Sequence, residues 1–225
     1  MSRTLLACLL ALQAPACGQE VHPVTGRQSA PVMGMGGAPW LLRPEREAEE
    51  APDAALDAID AAIGIAKGAR VADIGAGVGY FTWRLAARIG PQGKVYAVDI
   101  QQGMLDRLRQ NMAERKLANY DAVLGAEDDP RLPAGRIDLA LLVDVYHEFS
   151  QPQKMLRKIR AALTPDGRMV LLEYRKEDPQ VPILPAHKMS VGEVKAEIEP
   201  EGFRLEKTLE NLPRQHILIF RKNTM

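Results

Sequence analysis

The chain has 225 residues, enough for one domain of ordinary size with some additional sequence. Hydrophobic residues make up 46% and charged residues 26%, the profile of a globular protein with a substantial core. Lysine plus arginine and aspartate plus glutamate number 29 each, so the basic excess of nucleic-acid-binding proteins is missing and we expect no nucleic acid as the main partner.

The first 17 residues have the order of a secretory signal peptide. Arg3 precedes an apolar stretch, Leu5 to Leu12, and small residues stand directly before Cys17. The apolar stretch is shorter than the roughly 20 residues of a membrane-spanning helix. We expect an exported protein, periplasmic or lipid-anchored at Cys17, with a cytoplasmic protein as the alternative. A lipid at Cys17 is the only membrane contact that the sequence indicates.

Residues 18 to 50 are interpreted as an N-terminal arm, ahead of a domain at 51 to 225. Glycine and proline are frequent up to residue 43 and no apolar period is visible, which is typical of a loop. We expect this arm to act as a lid over a binding site, with an unstructured linker as the alternative. Its contact residues would be Met33, Met35, Trp40 and Arg43.

An acidic helical stretch begins at Pro44 and is interrupted by Pro52. Asp53 is expected to cap a second helix directly after the interruption.

From residue 69 onward, short apolar runs alternate with helical patterns. Strands are predicted at 69–75, 94–100, 121–125, 137–145 and 168–175, and helices at 80–89, 104–117, 152–163 and 191–199. Such alternation, with strands apolar on both faces, predicts an α/β fold with a doubly wound, mostly parallel sheet. The last two runs, 203–211 and 215–222, are joined by a short loop and predict an antiparallel hairpin.

The segment VADIGAGVGYFT, residues 71 to 82, follows the first predicted strand. Gly75, Gly77 and Gly79 alternate with small residues there, and Asp73 stands two places before the first glycine. Glycine allows backbone angles that other residues avoid and lets a ligand approach the main chain, while the next helix offers N–H groups. The spacing departs from the G-x-G-x-x-G of dinucleotide sites, so the glycines alone leave the ligand open.

Carboxylates after successive strands narrow the choice of ligand. Asp73 suits a cationic amino group better than a pyrophosphate. Asp99 ends the second strand, where a carboxylate can accept hydrogen bonds from both hydroxyl groups of a ribose. Glu127 or Asp128, after the third strand, could accept a hydrogen bond from an adenine amine. An amino-acid end, a ribose and an adenine without phosphate together describe S-adenosyl-L-methionine. Two residues are positioned to pack against the adenine faces: Ile100 and Met104.

The motifs DIGAGVG, YAVDI, GAEDDP and IDLALLVDVYHEF resemble the successive motifs of class I S-adenosylmethionine-dependent methyltransferases, and the likeness covers about residues 45 to 221. The resemblance implies a Rossmann-like, seven-stranded sheet with a C-terminal antiparallel hairpin, and an enzyme with S-adenosyl-L-methionine as its cofactor. It implies that the methionine end is held by Asp73 and the turn Gly75, Ala76, Gly77 and Gly79. It further implies that Asp99 holds the ribose, that Glu127 and Asp128 hold the adenine edge, and that Asp144 lies near the bound cofactor.

The residues after the fourth strand are the catalytic candidates. His147 is the best general base by residue type, with Tyr146 beside it; a structural histidine is the alternative for His147. Acceptor contacts are expected from Trp40, Tyr174 and His187.

The residue directly after Asp144 narrows the nature of the acceptor. Val145 stands where family members that methylate nucleic-acid or protein amines carry a Pro-Pro-aromatic motif, so the resemblance implies a small-molecule acceptor. We expect no metal ion at the site.

Two other functions stay open as alternatives. One is a non-catalytic nucleoside-binding module that keeps the same fold. The other, a nicotinamide-dependent oxidoreductase, is disfavoured because neither G-x-G-x-x-G nor a second nucleotide half is present.

Overall fold

The computed structural model describes residues 21–223. The expected signal peptide and the lipid site at Cys17 lie outside these residues and stay predictions. Within the described part of the chain, every helix is too short or too polar to cross a membrane.

The described chain alternates helices and strands in the predicted order. The helices are α1 (Arg46–Glu50), α2 (Pro52–Ile63), α3 (Thr82–Ile89), α4 (Gln102–Glu114), α5 (Pro152–Ala162) and α6 (Val191–Ile198). The strands are β1 (Arg70–Ile74), β2 (Lys94–Asp99), β3 (Tyr120–Leu124), β4 (Ile137–Val143), β5 (Leu163–Arg175), β6 (Lys188–Met189), β7 (Phe203–Leu209) and β8 (Gln215–Lys222).

Seven of the strands form one sheet in the order β3-β2-β1-β4-β5-β8-β7. Strands β1 to β5 pair in parallel, while β8 is antiparallel to both β5 and β7. This confirms the seven-stranded α/β sheet with a C-terminal antiparallel hairpin. The two-residue strand β6, which pairs with β5, was not predicted. The strand order reverses between β1 and β4, and ligands of open α/β sheets bind at the carboxyl ends of strands at such a reversal.

Alternate residues of the central strands belong to two separate cores. Val71 and Leu141 pack with helices α2, α3 and α4 on one face of the sheet. Ala72 and Leu142 pack with α5 and α6 on the other. Side chains alternate between the faces of a strand, so these strands must be apolar at every position to fill both cores.

The start of α2 differs from the expectation that Asp53 caps it. Ala51 occupies the cap position with φ 47°, Pro52 is the first helical residue, and no side chain caps the helix. Proline is favoured at this position because its fixed φ suits the helix and its missing N–H is not needed there. Asp53 lies one residue inside the helix and its carboxylate is 3.5 Å from Arg88.

The described part of the arm is folded onto the sheet's carboxyl edge. It contains two short 3-10 helices, Met35–Gly37 and Trp40–Leu42. Arg27 ties the arm to α6, since its Nε and Nη2 donate to the buried Glu197 at 3.0 and 2.9 Å. Further along, Gln101 Nε2 donates to the Met33 carbonyl at 2.8 Å.

Candidate active site

A cavity of about 420 Å³ lies where the strand order reverses, between the carboxyl edge of the sheet and the arm. Its walls include the ends of β1, β2, β4 and β5. The structure brings most of the sequence-predicted site residues to this cavity: Trp40, Asp73, Gly75, Ala76, Gly77, Asp99, Ile100, Met104, Glu127, Asp144, His147, Tyr174 and His187. Three other predicted residues are not part of its lining: Gly79, Asp128 and Tyr146.

The glycine turn shapes one end of the cavity. Gly75, Gly77 and Gly79 have φ of 73°, 52° and 87°, which favours glycine. A Cβ on Gly75 would lie 2.3 Å from Val145 Cγ2, and one on Gly79 would lie 2.9 Å from Leu108 Cγ. Gly79 therefore serves the packing of α4 and not the cavity wall.

The N–H groups of the turn already have acceptors within the protein. Those of Gly75 and Ala76 donate to the Val98 carbonyl at 2.9 Å, and that of Gly77 donates to Asp99 Oδ2 at 2.9 Å. From the sequence we expected backbone N–H groups here to hold a ligand. These three are not available for that purpose, so the turn contributes space and shape.

Asp99 ends β2 with its carboxylate held by two backbone N–H groups. Gly77 donates to Oδ2 at 2.9 Å and Gln101 donates to Oδ1 at 2.8 Å. Burial raises the pKa of this carboxyl, although the backbone hydrogen bonds oppose the rise. Each oxygen keeps a second acceptor site, and the side chain lines the cavity in a fixed orientation.

Asp73 is almost fully buried at the cavity wall, where Thr82 Oγ1 donates to its Oδ2 at 2.6 Å. Burial raises the pKa of Asp73 to about 6, against the opposing effects of the Thr82 hydrogen bond and the Arg46 charge. A cationic ligand group beside this carboxylate would stabilise its ionised form.

Arg46, which was not predicted from the sequence, also lines the cavity. It comes from α1, its Nε donates to Glu50 Oε2 at 2.7 Å, and its guanidinium lies 4.1 Å from the centre of the Tyr80 ring. The i,i+4 spacing of Arg46 and Glu50 was visible, but it is equally typical of an exposed helix face. With Asp73, Arg46 gives this end both charges needed to bind an amino acid.

Glu50 extends the same buried network to Tyr174, whose hydroxyl donates to Glu50 Oε1 at 3.0 Å. Tyr174 is buried, and its pKa is raised by burial and by the neighbouring Asp144 and Glu50. The phenol is therefore neutral and oriented.

Asp144 has a buried carboxyl oxygen without a hydrogen-bond partner among the described residues. Its backbone has φ 49°, which is unusual for a residue other than glycine. Oδ2 accepts from Gln215 Nε2 at 2.7 Å, whereas Oδ1 is buried without a hydrogen-bond partner among residues 21–223. Burial, with the charges of Glu50 and Glu173, raises the pKa of this carboxyl well above its usual range. A buried carboxyl oxygen without a partner in a cavity wall indicates that a polar ligand group belongs there.

The adenine end of the site distinguishes the two acidic candidates after β3. Glu127 lines the cavity and its Oε2 accepts from Ser150 Oγ at 3.0 Å. Asp128 points away and lies 3.9 Å from Lys154 at the surface. The geometry favours Glu127 over Asp128, with Ile100 and Met104 on the same wall.

A chain of three polar side chains occupies the opposite end. Glu173, fully buried on β5, lies with its Oε2 2.6 Å from His147 Nδ1. His147 Nε2 in turn lies 3.1 Å from His187 Nδ1. Burial and the neighbouring His147 lower the pKa of His187. The carboxylate fixes His147 with a proton on Nδ1, so that Nε2 presents its lone pair.

Glu148 lies beside this chain and burial raises its pKa to about 7. Glu148 belongs to the segment after the fourth strand in which the sequence places the catalytic candidates, whereas Glu173 was not predicted as a site residue. In the sequence, Glu173 directly follows the apolar run 169–172 of β5. A carboxylate next to such a buried run is the one signal that could have indicated it.

Tyr146 does not reach the cavity. Its ring is fully buried in the core below α5 and α6, in edge-to-face contact with Phe149 and 5.8 Å from the Arg27 guanidinium. Tyr146 and His147 belong to a 3-10 helix, Tyr146–Glu148, in which successive side chains point about 120° apart. His147 therefore faces the cavity while Tyr146 faces the core, contrary to the expectation that both face the acceptor.

The comparisons with known proteins agree with this geometry. A family model described as "Methyltransferase domain" matches residues 65–212. Over 114 residues, the chain is 30% identical to the ubiquinone/menaquinone biosynthesis C-methyltransferase UbiE of Ectopseudomonas mendocina, a match that covers 50% of this chain and 44% of that relative. The match thus spans less than half the length of this curated relative.

Solved structures share the fold. A methyltransferase from Aquifex aeolicus, described as SAM dependent, superposes with a TM-score of 0.77 at 24% identity, covering 84% of this chain and 98% of its own. The [4+2]-cyclase SpnF superposes with a TM-score of 0.64 at 16% identity, covering 78% and 82%. Since a protein described as a cyclase shares the fold, the fold alone does not define the reaction.

The residues of the cavity fit S-adenosyl-L-methionine by their chemistry. Asp73 and Arg46 offer opposite charges at one end, and Asp99 offers two oriented carboxylate oxygens. Oδ1 of Asp144, without a partner among the described residues, leaves a position for a polar ligand group. Together with the matching family model, these features show that the chain belongs to the class I S-adenosylmethionine-dependent methyltransferases.

Proposed function

We propose that the protein methylates a small molecule with an apolar, ring-sized body and an acidic hydroxyl group, such as a phenol or hydroquinone. The observation that carries this proposal is the Glu173–His147–His187 chain, which ends in a cavity that is otherwise mostly apolar around the acceptor. The cofactor is expected to be held by Asp73, Asp99 and Glu127, while the glycine turn leaves space for its methionine end.

The walls next to His187 support an apolar acceptor. Apolar side chains of the arm, Trp40 and Leu41, and of the loop before His187, Ile183 and Leu184, all line the cavity. Among the described residues that line the cavity, Arg46 is the only lysine or arginine, and it lies at the cofactor's amino-acid end. A phosphorylated or polyanionic acceptor would lack a cationic partner, whereas a neutral ring fits.

The histidines supply the base that such an acceptor needs. When bound, S-adenosyl-L-methionine supplies a methyl group activated on a sulfonium. His187 can accept the acceptor's hydroxyl proton and share the resulting positive charge with His147. Glu173 stabilises that charge from a fully buried position. Removal of this proton activates either the oxygen or a ring carbon, so the same groups serve O- and C-methylation.

The relatives support the acceptor class. The similar proteins from Ectopseudomonas mendocina and Yersinia enterocolitica are named as C-methyltransferases of ubiquinone and menaquinone biosynthesis. Quinone-type acceptors combine an apolar ring with hydroxyl groups once reduced. The choice of a quinol among ring acceptors rests on this likeness.

The contacts of the arm support a role as a lid. Its Leu41 lies 3.0 Å from the position of a Cβ on Gly77, and the Met35 side chain lies equally near such a position on Gly103. These contacts place the arm against the cofactor end, where a lid would shield the reacting groups from water.

The test uses purified protein, methyl-labelled S-adenosyl-L-methionine and pairs of acceptors. Each pair contains a phenol, naphthol or hydroquinone and its counterpart with every hydroxyl already methylated. We expect label transfer to at least one hydroxylated compound and to none of the blocked partners. Equal labelling of blocked compounds, or transfer only to amines and thiols on a wider panel, would contradict the proposed acceptor class.

A further inference from the structure

Three side chains at the acceptor end offer metal-binding atoms to one point. The ring nitrogens of His147 and His187 and a carboxylate oxygen of Glu148 all lie within 4.8 Å of one another. We propose that these three residues bind a divalent transition-metal ion at the acceptor end of the cavity. The sequence led us to expect no metal at the site, although it placed both His147 and His187 among the candidates at the acceptor end.

The separation of the two histidine nitrogens suits a shared ion. Nε2 of His147 and Nδ1 of His187 are 3.1 Å apart. Two imidazole nitrogens bound to one tetrahedral ion at about 2.0–2.1 Å are roughly 3.3 Å apart, so little rearrangement is needed. Without an ion, the same pair must share one proton in a hydrogen bond.

Glu173 holds His147 in the form that binds metal. Its Oε2 lies 2.6 Å from Nδ1 of His147, which places the ring proton there and the lone pair on Nε2. Metal-binding histidines almost always donate their other ring N–H to a carboxylate, a carbonyl or water, and a carboxylate also raises ligand basicity. The backbone N–H of Tyr146 donates to the other oxygen of Glu173 at 3.0 Å and keeps the carboxylate in place.

The donor set indicates the kind of ion. Two imidazoles and one carboxylate suit zinc, iron, manganese or nickel better than magnesium or calcium, which prefer oxygen ligands alone. Three protein ligands leave further positions open, and all three residues line the cavity. An acceptor hydroxyl could occupy such a position, where the ion would lower its pKa in place of proton transfer to His187. That part of the inference rests on the proposed function, whereas binding of the ion does not.

The proposal is tested by titrating the full chain with cobalt(II) and recording its visible absorption. The protein carries no affinity tag, and Cys8 and Cys17 are replaced by serine in every sample, because thiolates would bind the ion themselves. We expect saturable binding of one ion per chain and displacement of cobalt by zinc. Zinc should also raise the melting temperature, since an ion that binds only the folded state stabilises it.

Three variants assign the ion to these residues. His187→Gln and Glu148→Gln should each weaken cobalt binding at least tenfold. His187 lies in the short 3-10 helix Pro185–His187 and is only half-buried, whereas His147 is buried. The His187→Gln variant can therefore be tested even where a change at His147 unfolds the chain. His22→Gln is the matched control, because His22 is buried 3.7 Å from Glu197 but has no second histidine beside it. It should bind cobalt like the parent protein.

Two results would overturn the proposal. One is the absence of saturable cobalt and zinc binding at millimolar ion. The other is binding that His187→Gln leaves unchanged or that His22→Gln weakens equally. Neither result bears on methyl transfer to hydroxylated rings, which is measured separately, so failure of the metal site and failure of the proposed function are distinguishable.

Discussion

The Gly77 amide donates a 2.9 Å hydrogen bond to Asp99 Oδ2 and so links the turn after β1 to the end of β2. The bond fixes the Asp99 carboxylate in the cavity wall. Backbone donors partly offset the burial of this carboxyl, whose pKa is nevertheless raised by burial.

Asp99→Asn should weaken the affinity for S-adenosylmethionine by about 1 to 3 kcal/mol, because one ribose hydroxyl loses its charged acceptor. Calorimetric titration with S-adenosylhomocysteine measures the change. Asp128→Asn is the matched control, since Asp128 does not line the cavity and its side chain is 45% exposed. Equal losses in both variants would contradict the role given to Asp99.

The pKa of Asp73 leads to a pH prediction. The folded protein holds the proton of Asp73 up to about pH 6, above the ordinary value of 3.8. The unliganded protein therefore loses stability as the pH rises from about 4 to 6. An ammonium group bound beside Asp73 favours the ionised carboxylate. Affinity for the cofactor should therefore rise with pH through this range, by up to about tenfold per unit below pH 6.

The pH dependence is measured as cofactor affinity between pH 5 and 7.5, with Asp73→Asn as the control. Thr82 donates to Asp73, and Arg46 and Asp99 are the charged groups that shift its pKa. The variant keeps a hydrogen-bonding side chain but cannot titrate. An identical pH slope in both proteins would assign the effect to another group.

Glu173→Gln should lower turnover at least tenfold and leave cofactor affinity nearly unchanged. The amide keeps the shape of the side chain but cannot stabilise positive charge on His147, whose Nδ1 lies 2.6 Å from the carboxylate. Initial rates at saturating donor, combined with calorimetric cofactor binding, separate the two effects. A loss of cofactor affinity as large as the loss of rate would mean that the change damages the whole site.

The sheet was predictable because its central strands are mostly apolar on both faces. The positions of Asp73, Asp99 and Glu127 at the cavity were predictable because each lies near or just after the carboxyl end of a parallel strand. Partnerships across the fold could not be predicted from the sequence. Glu173 and His147 are separated by 26 residues, and only the parallel pairing of β4 and β5 makes them neighbours. Tyr146 was wrongly expected to face the acceptor. The 3-10 helix Tyr146–Glu148 turns Tyr146 into the core while His147 faces the cavity.

The buried pair of Arg27 and Glu197 holds the arm over the site. Glu197 is fully buried and receives two hydrogen bonds from Arg27 and one from Thr25, while Arg27 also donates to the His147 carbonyl at 2.9 Å. Arg27→Ala leaves the Glu197 carboxylate buried without its cation. Breaking one partner of a buried pair costs about 3 to 5 kcal/mol, so the free energy of unfolding in urea should fall by that order.

The double variant Arg27→Ala with Glu197→Gln separates charge burial from arm anchoring. The amide removes the unpaired charge, so much of the lost stability should return, but the arm still lacks its bidentate contact. Limited proteolysis should therefore cut residues 21 to 43 faster in both variants than in the parent protein. Bound S-adenosylhomocysteine should slow this cleavage, because the arm packs on the cofactor end at Gly77 and Gly103. Cleavage that is unchanged by ligand would show that the arm does not cover the bound cofactor.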